Sequence, residues 1–142
     1  MSMMAWHYTV GKHAENIRRD GFIRPATLHV RPPEKPIVWF STRQDWEPTA
    51  TPAWERNYNM MTVPMMMELA GGLWRFGMDS AEFLPWGRLK EAARIPKKVL
   101  RGLEKAARGD PYCWYGSLEP VAIARCQVEC RLTEDSDWTA PP

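Results

Sequence analysis

Apolar and polar residues alternate over "AWHYTV" (5–10), and the aromatic and β-branched content predicts a strand. Side chains of a strand point alternately to opposite faces, so Trp6 and Tyr8 share one face and His7 and Thr9 the other. Gly11 interrupts the alternation. "KHAENIRRD" (12–20) then takes a helical spacing, with Ala14, Ile17 and Arg18 on one side. Gly21 stands where a residue closing the helix is expected. "FIRP" (22–25) leaves in extended form because Arg24 precedes proline. "RPPEKP" (31–36) is a stiff turn that feeds the apolar strand "IVWFS" (37–41).

Periodicity then lapses. Residues 43–59 predict a long loop, with a helical turn near "PAWERNY". The methionine cluster 60–67 fits a strand around 60–63 or a short helix through "MMMEL", and in either form adaptable core filling. "GGLWRFGMD" (71–79) predicts a strand with Leu73, Arg75 and Gly77 opposite Trp74, Phe76 and Met78. "PWGRLKEAARI" (85–95) is helical after Pro85. "PKKVLRGLEKAARG" (96–109) is a clearer helix, with Leu100, Leu103 and Ala107 on one face and Gly109 at its stop. Lys97, Arg101, Lys105 and Arg108 form the opposite stripe. "PVAIARCQVECRL" (120–132) reads as a long strand carrying a bulge or bend, because Val121, Ile123, Val128 and Leu132 do not keep one alternation. With no repeat and no linker, one α+β domain over residues 1–142 is expected.

Composition sharpens this picture in three places. Eight tryptophans and thirteen prolines are high for 142 residues, and tryptophan suits both cores and pockets for flat ligands. The net charge of +2 gives little long-range field, yet residues 88–108 hold eight basic side chains against Glu91 and Glu104. Three cysteines without a CxxC pair predict reduced thiols and a cytoplasmic setting. "MSMMAWHYT" lacks a signal-peptide pattern and no apolar run reaches bilayer length, so a soluble protein is expected.

Several residues are candidates for chemistry. His7 is either a satisfied strand histidine or a site residue. Trp39, Ser41 and Thr42 end an apolar strand, where hydroxyls commonly start a turn but also line clefts at a sheet end. "DWEPTATPAW" predicts an ordered loop anchored by Trp46 and Trp54 and presenting Glu47 and Thr49 to a cleft, or else a structural cover. Glu119, just before the last long strand, is an exposed turn residue or a carboxylate at a cleft mouth; Glu129 is a second such candidate. The basic stripe is a solvated helix face or a phosphate contact. No Walker loop, GxGxxG, HExxH or zinc spacing occurs, so no metal is expected.

"WHYTVGKHAENIRRDGFIRP" followed by "IVWFST" resembles the N-terminal part of the ADP-ribosyltransferase-like fold, which includes NAD-dependent transferases and RNA 2′-phosphotransferases. The chain is also similar to small bacterial and prophage-encoded proteins with "HYT…VWFS…WEPTA" segments. The resemblance implies an α+β domain with a split, bent, mixed or antiparallel sheet flanked by short helices. It implies NAD as the bound substrate, with His7 and Thr9 at a ribose and Ser41 and Thr42 at the nicotinamide end. Trp39 and Trp46 would bracket a flat ring. Glu119 is the first match for the glutamate that stabilises an oxocarbenium-like transition state, with Glu129 and Glu47 behind it. Departures are a Trp or Phe where the family often has Tyr and no unique C-terminal glutamate.

The implied activity is ADP-ribosylation of a macromolecule, with nucleic acid favoured over protein by the basic stripe 88–108. Two rivals stand beside it. A non-catalytic interaction or inhibitor protein on the same scaffold expects a blocked cleft and an exposed apolar patch. An RNA 2′-phosphotransferase-like enzyme expects arginines such as Arg18, Arg19, Arg24 and Arg75 to converge on a phosphate.

Overall fold

A computed structural model describes residues 2–54, 59–105 and 110–142, with the side chains of Trp54 and Asn59 outside that description. The chain runs β1 (Met4–Val10), α1 (Gly11–Asp20), β2 (Phe22–Ile23), β3 (Val38–Ser41), β4 (Ala53–Trp54), β5 (Asn59–Met60), α2 (Val63–Leu69), β6 (Leu73–Asp79), β7 (Leu84–Pro85), α3 (Trp86–Ala92), α4 (Lys97–Lys105), β8 (Trp114–Ser117), β9 (Val121–Ala122) and β10 (Gln127–Arg131). A six-stranded antiparallel sheet in the order β10-β6-β1-β3-β8-β7 forms the centre, and β2-β9 and β4-β5 make separate two-stranded pairs. The architecture is α+β.

Alternation sorts the side chains of this sheet. On one face Ala5, Val38, Phe40, Trp74, Phe76 and Cys130 meet Ala14 and Ile17 of α1 and Ile23 and Val121 of the β2-β9 pair. The helix ends because Gly21 takes the left-handed conformation (φ 85°) and donates its N–H to the Ile17 carbonyl at 2.8 Å. Side chains such as Phe76 and Ile23 are sealed from water, and each contributes about 1.5–3 kcal/mol by that burial.

The other face has two covers. Over β3 and β8, Trp86 and Leu89 of α3 pack on Ile37 and Trp114, with Leu100 and Leu103 of α4 behind them. Over β1 and β6, Met66 of α2 and Ala70, which closes that helix, pack on Val10 and Leu73, with Trp46 and Trp138 at the border. The methionine cluster is therefore helical through 63–69. Thr62 starts that helix by accepting from the Met65 N–H at 3.3 Å.

Several expected boundaries move. Residues 120–132 are not one strand: a 3-10 turn over Ile123–Arg125 separates β9 from β10 and sends them to different sheets, where Ile123 donates its N–H to Gly21. Helix 85–95 stops at Ala92, because Arg94 turns left-handed (φ 54°) and Ile95 bonds back to Lys90. In the loop, the helical turn falls on Pro48–Ala50, and Ala53–Trp54 pair as a strand with Asn59–Met60. Residues 55–58 of the expected "PAWERNY" turn and Ala107, Arg108 and Gly109 of the expected helix end lie outside the described residues.

Candidate active site

The strands β1 and β3 are unevenly joined. β1 pairs with β6 through seven residues, from Met4↔Asp79 to Val10↔Leu73, but with β3 through Trp6↔Ser41 alone. Past that pair the His7 imidazole supplies the missing partner, with Nδ1 2.8 Å from the Trp39 carbonyl oxygen. A carbonyl only accepts, so Nδ1 carries the proton and Nε2 keeps its lone pair. Burial holds the His7 pKa below the ordinary histidine value, over the opposing effect of this bond, and nearby His13 adds to the lowering. The ring is neutral at physiological pH.

A cavity of about 450 Å³ opens at this join, between the two covers. Trp6, Tyr8, Trp39, Ser41 and Trp114 of the sheet line it together with Glu47, Thr49 and Ala50 of the loop, Met60 and Leu103. His7 and Phe40, whose side chains belong to the α1 face, also reach its wall. Such a size and such a lining, largely aromatic with few polar groups, suit a small-molecule site.

Among the described residues Glu47 is the one carboxylate in this wall, and it is buried. Its Oε1 accepts from Ser41 Oγ at 2.9 Å, and its Oε2 accepts from Thr49 N at 3.0 Å and Thr49 Oγ1 at 2.8 Å. The Arg43 guanidinium stands 3.9 Å from Oε1, with its Nε lacking any hydrogen-bond partner among the described residues. These donors hold the carboxylate in a fixed orientation, as a group that stabilises a developing cation must be held. Part of the arrangement is local: Glu47 caps the turn Pro48–Ala50.

A second polar cluster fixes this loop to the sheet. Tyr8, Arg75 and Glu129 lie in one register row across β1, β6 and β10. The buried Arg75 guanidinium lies between the rings of Trp6 (3.9 Å) and Trp138 (4.4 Å), and its Nε donates to Glu129 Oε1 at 2.8 Å. Its Nη1 donates to the Gln44 carbonyl at 2.6 Å. Tyr8 donates its hydroxyl to the Arg43 carbonyl, Trp6 Nε1 donates to Gln44 Oε1 at 3.0 Å, and Trp138 Nε1 donates to the Asp45 carbonyl at 3.1 Å. Burial pushes the Tyr8 pKa up to about 12, despite the hydrogen bond and charge of Arg75. Residues 43–46 are thereby anchored just before Glu47.

His7, Trp39, Ser41 and Glu47 of the sequence-derived set therefore meet at one cavity. Thr49, expected on the same loop as Glu47, joins them, whereas Thr9, Thr42, Trp46, Glu119 and Glu129 do not reach the wall. Thr9 is buried opposite Trp74 on the α1 face. Thr42 ties the end of β3 to the Cys113 carbonyl, through its N–H at 2.9 Å. Trp46 meets the Tyr8 ring edge at 5.3 Å and donates to Thr51 Oγ1 at 3.1 Å, so it packs behind the wall and does not bracket the cavity. Glu119 sits exposed in a tight turn, where Ser117 Oγ bonds both its N–H and its carbonyl and the chain turns outward. Glu129 is taken up by Arg75.

Trp114 is a wall residue that hydrophobic pattern alone does not single out. The alternation Trp114–Gly116 against Tyr115–Ser117 in "WYGS" is its signal. It meets Trp86 edge-on at 5.1 Å and Trp39 at 6.1 Å, and its buried Nε1 has no acceptor among the described residues.

Among the described residues no group of three His, Cys, Asp or Glu side chains could hold a metal ion, and no helix is long and apolar enough to cross a membrane. Comparison with protein families, with characterised proteins and with solved structures finds no match to this chain.

Proposed function

We propose that the cavity binds NAD and that the protein is an ADP-ribosyltransferase acting on a macromolecular target. The observation that carries this reading is the meeting of His7, Ser41 and Glu47 at one open cavity beside the weakly joined strands β1 and β3. Glu47 takes the catalytic role, in place of Glu119. The indoles of Trp39 and Trp114 offer flat apolar walls to the nicotinamide ring. His7 Nε2 offers a lone pair to a ribose hydroxyl.

In the reaction the bond from ribose C1′ to the nicotinamide nitrogen breaks and its electron pair leaves with nicotinamide. A nucleophilic oxygen or nitrogen of the target adds to C1′ and loses its proton. Glu47 holds negative charge near the ribose as positive charge develops there. The phosphotransferase alternative draws less support, because its arginines are engaged elsewhere: Arg19 with Glu15, Arg24 with Asp20, Arg75 with Glu129, and Arg18 over the Trp74 ring.

Calorimetric titration of NAD into the purified protein tests the reading, with His7→Ala, Glu47→Gln and Glu119→Gln beside the parent. Expected are weakened binding in His7→Ala, retained binding in Glu47→Gln with NAD cleavage reduced by about 10²–10³-fold, and parent behaviour in Glu119→Gln. No binding of millimolar-range NAD to the parent overturns it.

A further inference from the structure

We infer that the target is nucleic acid and that its backbone docks on the exposed ridge of α4 formed by Lys97, Arg101 and Lys105. The inference rests on the transferase reading for the chemistry at the cavity, while the docking itself requires no NAD.

The three cations recur at every fourth residue of one helix, a step of about 6 Å along its axis. All three are exposed, as is the neighbouring Lys98, and none takes part in an ion pair among the described residues. Like charges at this spacing disfavour an isolated helix. The one acid of α4, Glu104, does not relieve them: its carboxylate turns to Lys90 Nζ at 3.8 Å and Trp86 Nε1 at 3.2 Å. A row of phosphates supplies the missing countercharge at repeated intervals.

The same helix faces the cavity on its other side. Leu100 and Leu103 pack on the Trp86–Trp114 cluster, and Leu103 is itself part of the cavity wall. A strand lying along the ridge therefore runs across the thickness of α4 from the cavity, about 10 Å. An acidic protein segment matches the sign of the charge, but a nucleic-acid strand carries one negative charge on every nucleotide, so a ridge of cations at an even step favours nucleic acid.

Fluorescence anisotropy with a labelled single-stranded oligonucleotide, read over a series of salt concentrations, tests the docking. The parent is expected to bind, with log K falling linearly against log salt. The Lys97→Ser/Arg101→Ser/Lys105→Ser variant should bind at least about tenfold more weakly, with a slope reduced by about 2, as expected for three lost single-strand phosphate contacts. The Lys97→Arg/Lys105→Arg variant should retain parent binding, separating charge from any disturbance of the helix. Absence of binding by the parent, an unchanged slope in the serine variant, or equal displacement by poly-glutamate each overturn the inference, the last in favour of an acidic protein partner. Loss of oligonucleotide binding with NAD binding intact removes this surface alone; the reverse result removes the transferase reading alone.

Discussion

Ser41 donates its hydroxyl proton to Glu47 across 2.9 Å, and both residues are buried. The bond joins the end of a regular strand to a loop without regular pairing, so the strand's position dictates that of the carboxylate. Ser41→Ala removes the hydrogen-bond donor given to Oε1 among the described residues without making a large cavity. Stability should fall by about 1–3 kcal/mol, the cost of under-satisfying a buried acceptor. Urea denaturation of Ser41→Ala against Ser41→Thr measures it; equal midpoints for Ser41→Ala and the parent would show that water replaces the serine.

Arg75 should be more sensitive. Arg75→Met leaves Glu129 without its guanidinium and the Gln44 carbonyl without its donor, at a cost of about 3–5 kcal/mol. Arg75→Lys should recover less than half of that loss, because an ammonium neither lies flat between Trp6 and Trp138 nor reaches Glu129 and Gln44 together. Equilibrium unfolding of both variants followed by tryptophan fluorescence gives the comparison, and full recovery by lysine would contradict it.

Acid stability should carry the signature of His7. Its pKa is depressed in the fold, so the unfolded chain takes up a proton first as pH falls below its ordinary value of 6.5. The stabilisation is complete above that pH and is lost as pH falls through it toward the folded value. Unfolding free energies measured from neutral pH down to about pH 5 should decline in the parent and decline less steeply in His7→Asn. Parallel curves would place the acid sensitivity in other groups.

Two glycines should respond in opposite directions. A Cβ at Gly77 would stand 2.4 Å from Trp6 Cε3, so Gly77→Ala pushes the ring that lines the cavity and stacks on Arg75, costing about 1–3 kcal/mol. Gly102 lies in α4 with open space around it, and Gly102→Ala should stabilise by up to about 1 kcal/mol through helix propensity. Thermal melting of the two variants should show shifts of opposite sign.

Elements with a sustained period were legible in the sequence. β1, α1, β6 and the facing of Arg75 against Trp74 and Phe76 follow from alternation or helical spacing, and the structure has them there. The site was legible only where it lies on such an element. His7, Trp39 and Ser41 belong to strands; Glu47 was one glutamate among three because nothing periodic fixes where a loop carboxylate points. Its position depends on Tyr8, Arg75 and Trp138 gripping residues 43–46, contacts made across the sheet and from the far end of the chain. Glu119 failed to reach the cavity for a local reason, since the Ser117 turn carries it outward. Trp114 was hidden in a strand of four residues, too short for its alternation to stand out.

Trp138 grips Asp45 across 93 residues of sequence. On a translating ribosome the segment bearing Glu47 emerges long before the indole that roofs Arg75, an interval of about 5–20 seconds at ordinary synthesis rates. Through that interval the growing chain holds the groups of the cavity without the clamp that orients them. A messenger broken ahead of codon 138 would therefore yield a product that carries His7, Ser41 and Glu47 yet lacks the means to align them.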